Sequence, residues 1–193
     1  MAMVEKIIGV VAAIVIGMAQ LTYLIDTIRK KIKPSVLSWL GWALLMGTSV
    51  ASQVATKGWQ WSQASVLFSA FGCLAIAAVA FFSGNFSLLR KDWSFLVLGL
   101  GCLCIYLLSS SPWATTLFAI CADALLAIPT IGKAWRDPAL ERSPAWVLGM
   151  ISAALALIIC FGHDWIYVLF PVYLLVFNGA MAWLTQMRVR LPG

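Results

Sequence analysis

Charged side chains are scarce in this chain of 193 residues. Only 10% of the residues are Asp, Glu, Lys or Arg, whereas 63% are hydrophobic. A soluble domain averages about 25% charged and about 45–50% apolar residues, so this composition excludes an ordinary soluble protein and indicates an integral membrane protein. The connections between the apolar runs are short, which leaves no room for a soluble domain.

Residues that carry out catalysis or bind metals are also scarce. The chain has a single histidine, His163, and two glutamates, Glu5 and Glu141, which lie outside the apolar runs. No His, Asp and Glu residues cluster with metal-ligand or triad spacing, so we expect neither an enzyme nor a metal or cofactor site. The five cysteines lie inside apolar runs without zinc-ligand spacing and are interpreted as packing residues.

The net charge of +6 does not indicate a nucleic-acid partner. The basic residues lie between apolar runs, where they are interpreted as determinants of membrane topology. We therefore expect no nucleic acid among the partners of this chain. The expected partners are the lipid bilayer and a small-molecule solute, and a homo-oligomer stays open.

Seven apolar runs approach the length of about 20 residues that is needed to cross a bilayer. The predicted spans are 7–27, 35–55, 61–83, 93–109, 112–132, 144–161 and 165–186. They form two groups of three with one helix between them, which gives the domains 1–83, 84–111 and 112–193. The sequence thus predicts an all-α integral membrane protein with seven transmembrane helices, in which two parallel three-helix repeats are joined by a linker helix.

The basic residues are distributed unevenly between the two sets of connections. One set, with the N-terminus, holds only Lys6 and Lys57. The other set, with the C-terminal tail, holds Arg29, Lys30, Lys31, Lys33, Arg90, Lys91, Lys133, Arg136, Arg142, Arg188 and Arg190. The positive-inside rule places the richer set in the cytoplasm, so we expect the N-terminus outside and the C-terminus inside. The expected location is a prokaryotic inner (plasma) membrane.

The ends of the apolar runs carry their own signals. Asp92, Ser111, Ser143 and Asp164 each precede a run and are predicted to cap its helix. All ten tryptophans lie near run ends and are interpreted as an interfacial belt, although a functional residue among Trp39, Trp42, Trp59 and Trp61 stays open.

The first helix of the second group carries a proline and is followed by a basic turn. The residues of this pattern are Pro129-Thr130, Lys133, Arg136 and Ser143. The pattern resembles the mark of the PQ-loop superfamily, in which Pro-Gln lies late in the first helix of each triplet, before a basic turn and a serine that opens the next helix. In the first group Tyr23-Leu24 stands where Pro-Gln belongs, and the later pattern is kept by Arg29, Lys30 and Ser38. The chain is similar to a divergent member of this superfamily, which includes the SWEET sugar transporters.

The resemblance implies a transporter that moves a small solute by alternating access as the two triplets rock against each other. It also implies hinges at Pro129 and Pro144 in the second triplet and at Pro34 in the first. SWEET-like proteins hold sugar with an asparagine in the third helix of each triplet. Asn178 lies in the corresponding helix of the second triplet, but the first triplet has no such asparagine, so the resemblance does not carry over a sugar site.

Asp123 is the residue that the sequence singles out most clearly. It lies about ten residues from each end of its run, and an aspartate at that depth costs roughly 2.5–3.5 kcal/mol on insertion scales. We therefore expect it to face the interior of the bundle and to have a partner. Burial favours the protonated form of a carboxyl group, so Asp123 is a candidate proton carrier. The alternative is a structural hydrogen bond between helices.

Other polar residues lie at helical spacing within the apolar runs. Thr130 is seven residues beyond Asp123 and near the carbonyl that Pro129 frees. Tyr167 and Asn178 share one stripe of the last helix, and Gln20 and Tyr23 share one stripe of the first. We interpret these residues as the lining of a polar cavity that binds the solute or the proton. Interhelical hydrogen bonding is the alternative for Asn178.

Asp26, near the end of the first predicted span, is expected to pair with Arg29 or Lys30.

From the topology, the resemblance and the polar residues of the spans, the predicted function is membrane transport of a small polar solute by alternating access, coupled to protons through Asp123. The alternative is a non-transporting membrane receptor or assembly factor of the same fold.

Overall fold

The computed structural model describes residues 2–57, 63–160 and 165–187, and these residues are almost entirely helical. The α-helices are α1 (Ala2–Ile28), α2 (Val36–Lys57), α3 (Gln63–Phe82), α4 (Asp92–Leu108), α5 (Pro112–Arg136), α6 (Ala145–Cys160) and α7 (Trp165–Ala182). A short 3-10 helix, Pro138–Glu141, follows α5, and the π-helical turn Trp183–Met187 extends α7. The helices lie where the sequence predicts apolar runs, because those runs contain few residues that interrupt a helix.

Four helical stretches are long and apolar enough to cross a membrane. They are Lys6–Ile28, Ser65–Phe82, Pro112–Arg136 and Val168–Gln186. The remaining apolar stretches are shorter, and they are Val36–Ser52, Asp92–Leu108 and Ala145–Cys160. At about 1.5 Å per residue, 17 residues reach about 25 Å, slightly less than a typical hydrocarbon core of about 30 Å. The helical architecture and the four long apolar helices fit a membrane protein, and the number of spans stays a prediction.

The helices of the two groups pack in the same order. Helix α3 packs against both α1 and α2, and α7 packs against both α5 and α6. The groups meet where α1 packs against α6 and α2 against α5, while α4 lies against α5 and α2. The buried core includes residues of both groups, and some of its residues lie on α3, which packs against α1 and α2 within the first group.

The connections that carry most of the basic residues meet at one end of the bundle, which we call the basic end. The Lys33 N–H donates to the Leu140 carbonyl at 2.8 Å, and the Ser87 N–H donates to the Pro34 carbonyl at 2.7 Å. The Asn85 side chain also donates to the Ile32 carbonyl at 2.8 Å. The three connections that follow α1, α3 and α5 therefore lie side by side, as the predicted topology requires of segments on one face of a membrane.

Helices α1 and α3 end in the same local motif. Beyond α1, the Lys31 N–H donates to the Asp26 carbonyl at 3.0 Å, and beyond α3 the Asn85 N–H donates to the Ala80 carbonyl at 3.1 Å. Such Schellman motifs place one residue in the left-handed region. That residue is Lys30 with φ 55° after α1 and Gly84 with φ 65° after α3. Glycine adopts this conformation without the steric penalty that a Cβ atom brings.

We predict that Gly84→Ala lowers the free energy of unfolding by about 1–2 kcal/mol, because alanine is strained at positive φ. A Cβ atom at Gly84 would meet no other atom within 4 Å, so backbone strain is the only cost. The measurement is the unfolding midpoint of the purified protein in detergent. The control is Gly101→Ala, which also adds a methyl group into open space but within a regular helix. Equal effects of the two substitutions would contradict the assignment of strain to Gly84.

Candidate functional site

Asp123 lies on the buried face of α5 and is only 2% exposed. The Tyr173 hydroxyl donates a hydrogen bond to Asp123 Oδ2 at 2.6 Å, and the indole N–H of Trp42 points to the Asp123 carbonyl at 3.4 Å. Since Trp42 belongs to α2 and Tyr173 to α7, both groups of helices contact this one residue. The residue expected to need a buried partner therefore has one, contributed by a tyrosine of α7.

Six aromatic rings, which we call the aromatic cluster, fill the interior between Asp123 and the basic end. They are Tyr23 from α1, Trp39 and Trp42 from α2, Trp146 from α6, and Tyr173 and Phe177 from α7. Tyr173 stacks on Phe177 with ring centroids 6.2 Å apart, and Phe177 lies 5.8 Å from both Trp42 and Trp146. The cluster continues to Tyr23, whose ring is 4.4 Å from that of Trp39. Edge-on and offset contacts of this kind stabilise aromatic pairs beyond their buried area.

A buried ion pair closes the other end of the aromatic cluster. Glu141 is 0% exposed, with Oε1 at 2.5 Å from Lys133 Nζ and Oε2 at 2.5 Å from the Tyr23 hydroxyl, which donates to it. Lys133 also donates to the Lys33 carbonyl, and the Trp146 indole N–H donates to the Glu141 carbonyl at 3.0 Å. We call these residues the Glu141 network. Burial raises the pKa of Glu141, and the Lys133 ammonium group opposes that rise.

Asp26 makes a further polar contact between the groups. The Ser143 hydroxyl donates to Asp26 Oδ2 at 2.9 Å, and Lys31 Nζ lies 3.7 Å from Asp26 Oδ1. The expected partners, Arg29 and Lys30, do not form this ion pair. The cause is the left-handed turn at Lys30, which folds the chain back so that Lys31 returns to the side of α1 on which Asp26 lies.

Two of the predicted site residues pack within their own groups. The Gln20 amide donates to the Ser69 hydroxyl at 3.2 Å, so it bridges α1 and α3. The Asn178 amide donates to the carbonyl of Leu174 in its own helix at 2.8 Å. Asn178 also lies directly against Gly149 of α6, where a Cβ atom would approach its side-chain oxygen to 2.3 Å. Neither side chain forms a hydrogen bond with Asp123.

The remaining predicted site residues have different surroundings. Thr130 is fully buried on the same face of α5 as Asp123, and its hydroxyl has no hydrogen-bond partner among the described residues. Tyr23 joins the aromatic cluster to the Glu141 network through its ring and its hydroxyl. The side chain of Tyr167 lies outside the described part of the structure. Asp123, Thr130 and Tyr23 are thus the predicted residues that face the interior between the groups.

The three predicted hinge prolines lie towards or at the basic end. Pro129 is inside α5, whereas Pro34 and Pro144 lie in the connections just before α2 and α6. The Pro34 carbonyl accepts from Ser87, and the Pro144 carbonyl accepts from Val147 at 3.0 Å. Both are therefore fixed by neighbouring backbone, and a hinge role for them stays a prediction.

Sequence reasoning misses six residues at this site. Tyr173 and Phe177 receive no role, Glu141 is assigned to a polar connection, and Trp39, Trp42 and Trp146 are interpreted mainly as belt residues. The three tryptophans are buried in the aromatic cluster instead. Trp59, Trp61 and Asp164 lie outside the described residues. One signal was present, because Trp39 and Trp146 superpose when the chain is shifted by the 107 residues that align the two basic turns. This match pairs the two residues with each other, but it fits a belt as well as an interior position.

The chemistry available here is that of binding and proton exchange. A buried carboxyl group can bind a donor or a proton, and aromatic faces can bind an apolar or cationic group. Within the described residues, no group of three or more His, Cys, Asp and Glu side chains could hold a metal ion. Comparison of the chain with protein-family models, with curated proteins and with solved structures finds no match.

We predict that Lys133→Met lowers the free energy of unfolding by about 3–5 kcal/mol near neutral pH, because it leaves the buried Glu141 carboxylate without its cation. A carboxyl group whose pKa is raised in the folded state binds a proton more tightly in the folded protein than in the unfolded chain. Its contribution to stability therefore falls as the pH rises through the folded pKa. Without Lys133 the pKa of Glu141 rises further above its ordinary value of 4.5. The loss should therefore shrink in mildly acidic solution.

The measurement is the unfolding midpoint in detergent at neutral and mildly acidic pH. Lys91→Met is the matched control, since Lys91 is an exposed lysine of the same end of the bundle. The double variant Lys133→Met with Glu141→Gln should lose the pH dependence. A loss of stability that is the same at both pH values in the single variant would show that the charge of Glu141 is not its cause.

Proposed function

We propose that this protein is a membrane transporter that moves a small polar solute by alternating access, with its site at Asp123 and the adjoining rings of the aromatic cluster. One observation carries the proposal. A carboxyl group in the middle of an apolar helix is buried, is hydrogen-bonded by Tyr173, and is contacted by helices from both groups. A residue of this kind inside a membrane is costly and is found where a substrate or ion pathway needs it.

The surroundings of Asp123 fit a solute with one polar group and an apolar body. The carboxyl group and the Tyr173 hydroxyl supply a donor and acceptors, while Trp42 and Phe177 supply aromatic faces within ring-contact distance of each other. Binding sites for small molecules combine a largely apolar lining with a few converging polar groups in this way. Since the rings contact one another, the solute would replace ring–ring contacts when it enters.

Alternating access needs a barrier that closes one side and can be broken. The Glu141 network supplies such a barrier in this proposal, because Tyr23 belongs to the first group while Glu141 and Lys133 belong to the second. When the groups separate at the basic end, these contacts must break and water must replace them.

The third helix of each group packs against the other two helices of that group. This shared packing order supports the two-repeat architecture and the resemblance to the PQ-loop superfamily.

The topology proposed is seven spans with the N-terminus outside and the C-terminus inside. The basic end is then cytoplasmic, and the Glu141 network closes the cytoplasmic side. Asp123 is the proposed proton carrier, because it can take up a proton and keep its hydrogen bond to Tyr173 by exchanging donor and acceptor roles. Coupling of this type places the proton and the solute at one site.

A non-transporting receptor is the second candidate, and one observation favours it. A cleft of about 270 Å³ at the basic end is lined in part by Lys91, Lys133 and Arg136. Its exposed cations Lys91 and Arg136 are the groups with which a receptor would hold an acidic partner, although Asp92 and Asp137 also line the cleft. Binding without any flux across the membrane would support this candidate.

We predict that Asp123→Asn abolishes pH-dependent uptake by proteoliposomes while the protein still folds. The solutes for the assay come from a thermal-shift screen of sugars, amino acids, carboxylates and vitamins at two pH values. Uptake of each stabilising solute is then followed with and without an imposed pH gradient. An amide keeps the size of the side chain but cannot carry a proton, so gradient-driven uptake should fall to the level of empty liposomes.

Asp137→Asn is the matched control, because it removes one exposed carboxylate at the basic end while keeping a side chain that can cap the following 3-10 helix. Its uptake should equal that of the unmodified protein. If Asp123→Asn keeps its full response to the pH gradient, Asp123 is not the proton carrier. If no solute of the panel crosses the membrane although one binds, the transporter assignment gives way to the receptor.

A further inference from the structure

The cleft at the basic end lies between the start of α4 and the C-terminal half of α5. Its lining includes Lys91, which precedes α4, Asp92 from α4, and Gly132 and Arg136 from α5, and its volume is about 270 Å³. It lies apart from the aromatic cluster, whose rings do not line it. Its chemistry is therefore separate from that of the proposed transport site.

Two cations of the cleft are available to a ligand. Lys91 and Arg136 are both exposed, and among the residues that the structure describes neither forms an ion pair. Lys133 also lines the cleft, but its ammonium group is held by Glu141 and by the Lys33 carbonyl. Lys91 and Arg136 are therefore two exposed cations with which a phosphate group can pair.

The cleft also contains a buried carboxylate that lacks a second partner. Asp92 is 2% exposed, and its Oδ2 accepts the Leu89 N–H at 2.8 Å. Its Oδ1 is buried and has no hydrogen-bond partner among the described residues. The expected capping bond of Asp92 to α4 is replaced by this backward bond to Leu89. A buried carboxylate oxygen without a donor is unfavourable, so it points to a donor that the ligand brings.

An apolar groove continues from the cleft along the outer face of α5. This shallow groove of about 310 Å³ is lined by Ile128, Ile131 and Trp135, and it shares Ile128, Gly132 and Arg136 with the cleft. Trp93 and Trp135 are both exposed at this level. Exposed tryptophans beside basic residues are typical of the head-group region of a bilayer. The cleft and groove together match a ligand with a charged head and an apolar tail.

We propose that this cleft binds a phospholipid whose head group carries a phosphate and a primary ammonium group, as in phosphatidylethanolamine. The phosphate faces Lys91 and Arg136, and an acyl chain lies in the groove along Ile128 and Ile131. Asp92 Oδ1 is buried in this structure, so the Asp92 side chain turns towards the cleft to accept the ammonium N–H. An acidic peptide fits less well, because Asp92 and Asp137 both line the cleft and would repel it. A purely anionic lipid would leave Asp92 Oδ1 without a donor.

The test measures lipid binding to the purified full-length protein in detergent, by native mass spectrometry with phosphatidylethanolamine, phosphatidylcholine and phosphatidylglycerol of equal chain length. Phosphatidylcholine has the same charges as phosphatidylethanolamine but no N–H donor. Loss of one charge-assisted hydrogen bond corresponds to about a tenfold loss of affinity, so phosphatidylethanolamine should bind about tenfold more tightly than phosphatidylcholine. Equal binding of these two lipids, or tighter binding of phosphatidylglycerol, would overturn the proposal.

Three substitutions assign the binding to the cleft. Asp92→Asn should abolish the preference for phosphatidylethanolamine over phosphatidylcholine, and Arg136→Gln should weaken the binding of both lipids. Gly132→Leu should block the cleft sterically, since a Cβ atom at Gly132 meets no atom within 4 Å and its side chain would extend into the open space. This third variant keeps the test decisive if Asp92→Asn fails to fold.

The matched controls are Arg90→Gln and Gly101→Leu, which change the same residue types at positions that do not line the cleft. Neither should alter lipid binding, and an equal loss in a control and its cleft variant would overturn the assignment. Soluble glycerophosphoethanolamine distinguishes the two sources of the head group. If it binds as tightly as the lipid, or if an acidic peptide displaces the lipid from the unmodified protein, the proposed lipid site is wrong.

Discussion

The structure depends above all on the pairing of one buried charge. Glu141 has no access to solvent, so its carboxylate is tolerated only because Lys133 and Tyr23 supply a cation and a hydrogen-bond donor. Those partners lie on α5 and α1, and Lys133 also binds the Lys33 carbonyl of the connection after α1. Satisfying a single side chain thus fixes the relative position of the two groups of helices at the basic end.

The aromatic cluster extends this constraint into the interior. Tyr23 contributes its hydroxyl to the Glu141 network and its ring to Trp39, and the ring contacts continue through Trp42 and Phe177 to Tyr173 beside Asp123. Helices in lipid gain little from burying apolar surface against each other, so packing and hydrogen bonds must hold them together. The rings of the aromatic cluster supply the packing, and the polar contacts at its two ends, at Asp123 and at Glu141, supply the hydrogen bonds.

Much of the helical architecture could be predicted because the apolar runs are long and their interruptions are clear. The burial and partnering of Asp123 could also be predicted, since a carboxylate at that depth must avoid lipid. The role of Glu141 could not, because composition alone assigns a glutamate in a short polar connection to solvent. Only the fold shows that the 3-10 helix Pro138–Glu141 turns that side chain inward against Tyr23.

For Asn178 and the tryptophans, too, the sequence predicts only part of what the fold shows. Helical spacing places Asn178 on a stripe of α7, but in the fold its side chain lies against Gly149 of α6, whose missing side chain leaves room for it. Trp39 and Trp146 lie near run ends, which fits a belt as well as an interior position. Sequence position specifies the depth of such residues, whereas the neighbouring helices decide whether they face lipid or protein.

The bond between Tyr23 and Glu141 has a consequence for the order in which the protein is assembled. Its two residues are 118 positions apart, so at about 5–20 residues per second the ribosome needs about 6–24 seconds to make Glu141 after Tyr23. During that interval the Tyr23 hydroxyl of α1 lacks its final acceptor. The hydrogen bond from Tyr23 to Glu141 can therefore form only after the chain beyond α5 has been made, and the native basic end is completed only late in synthesis.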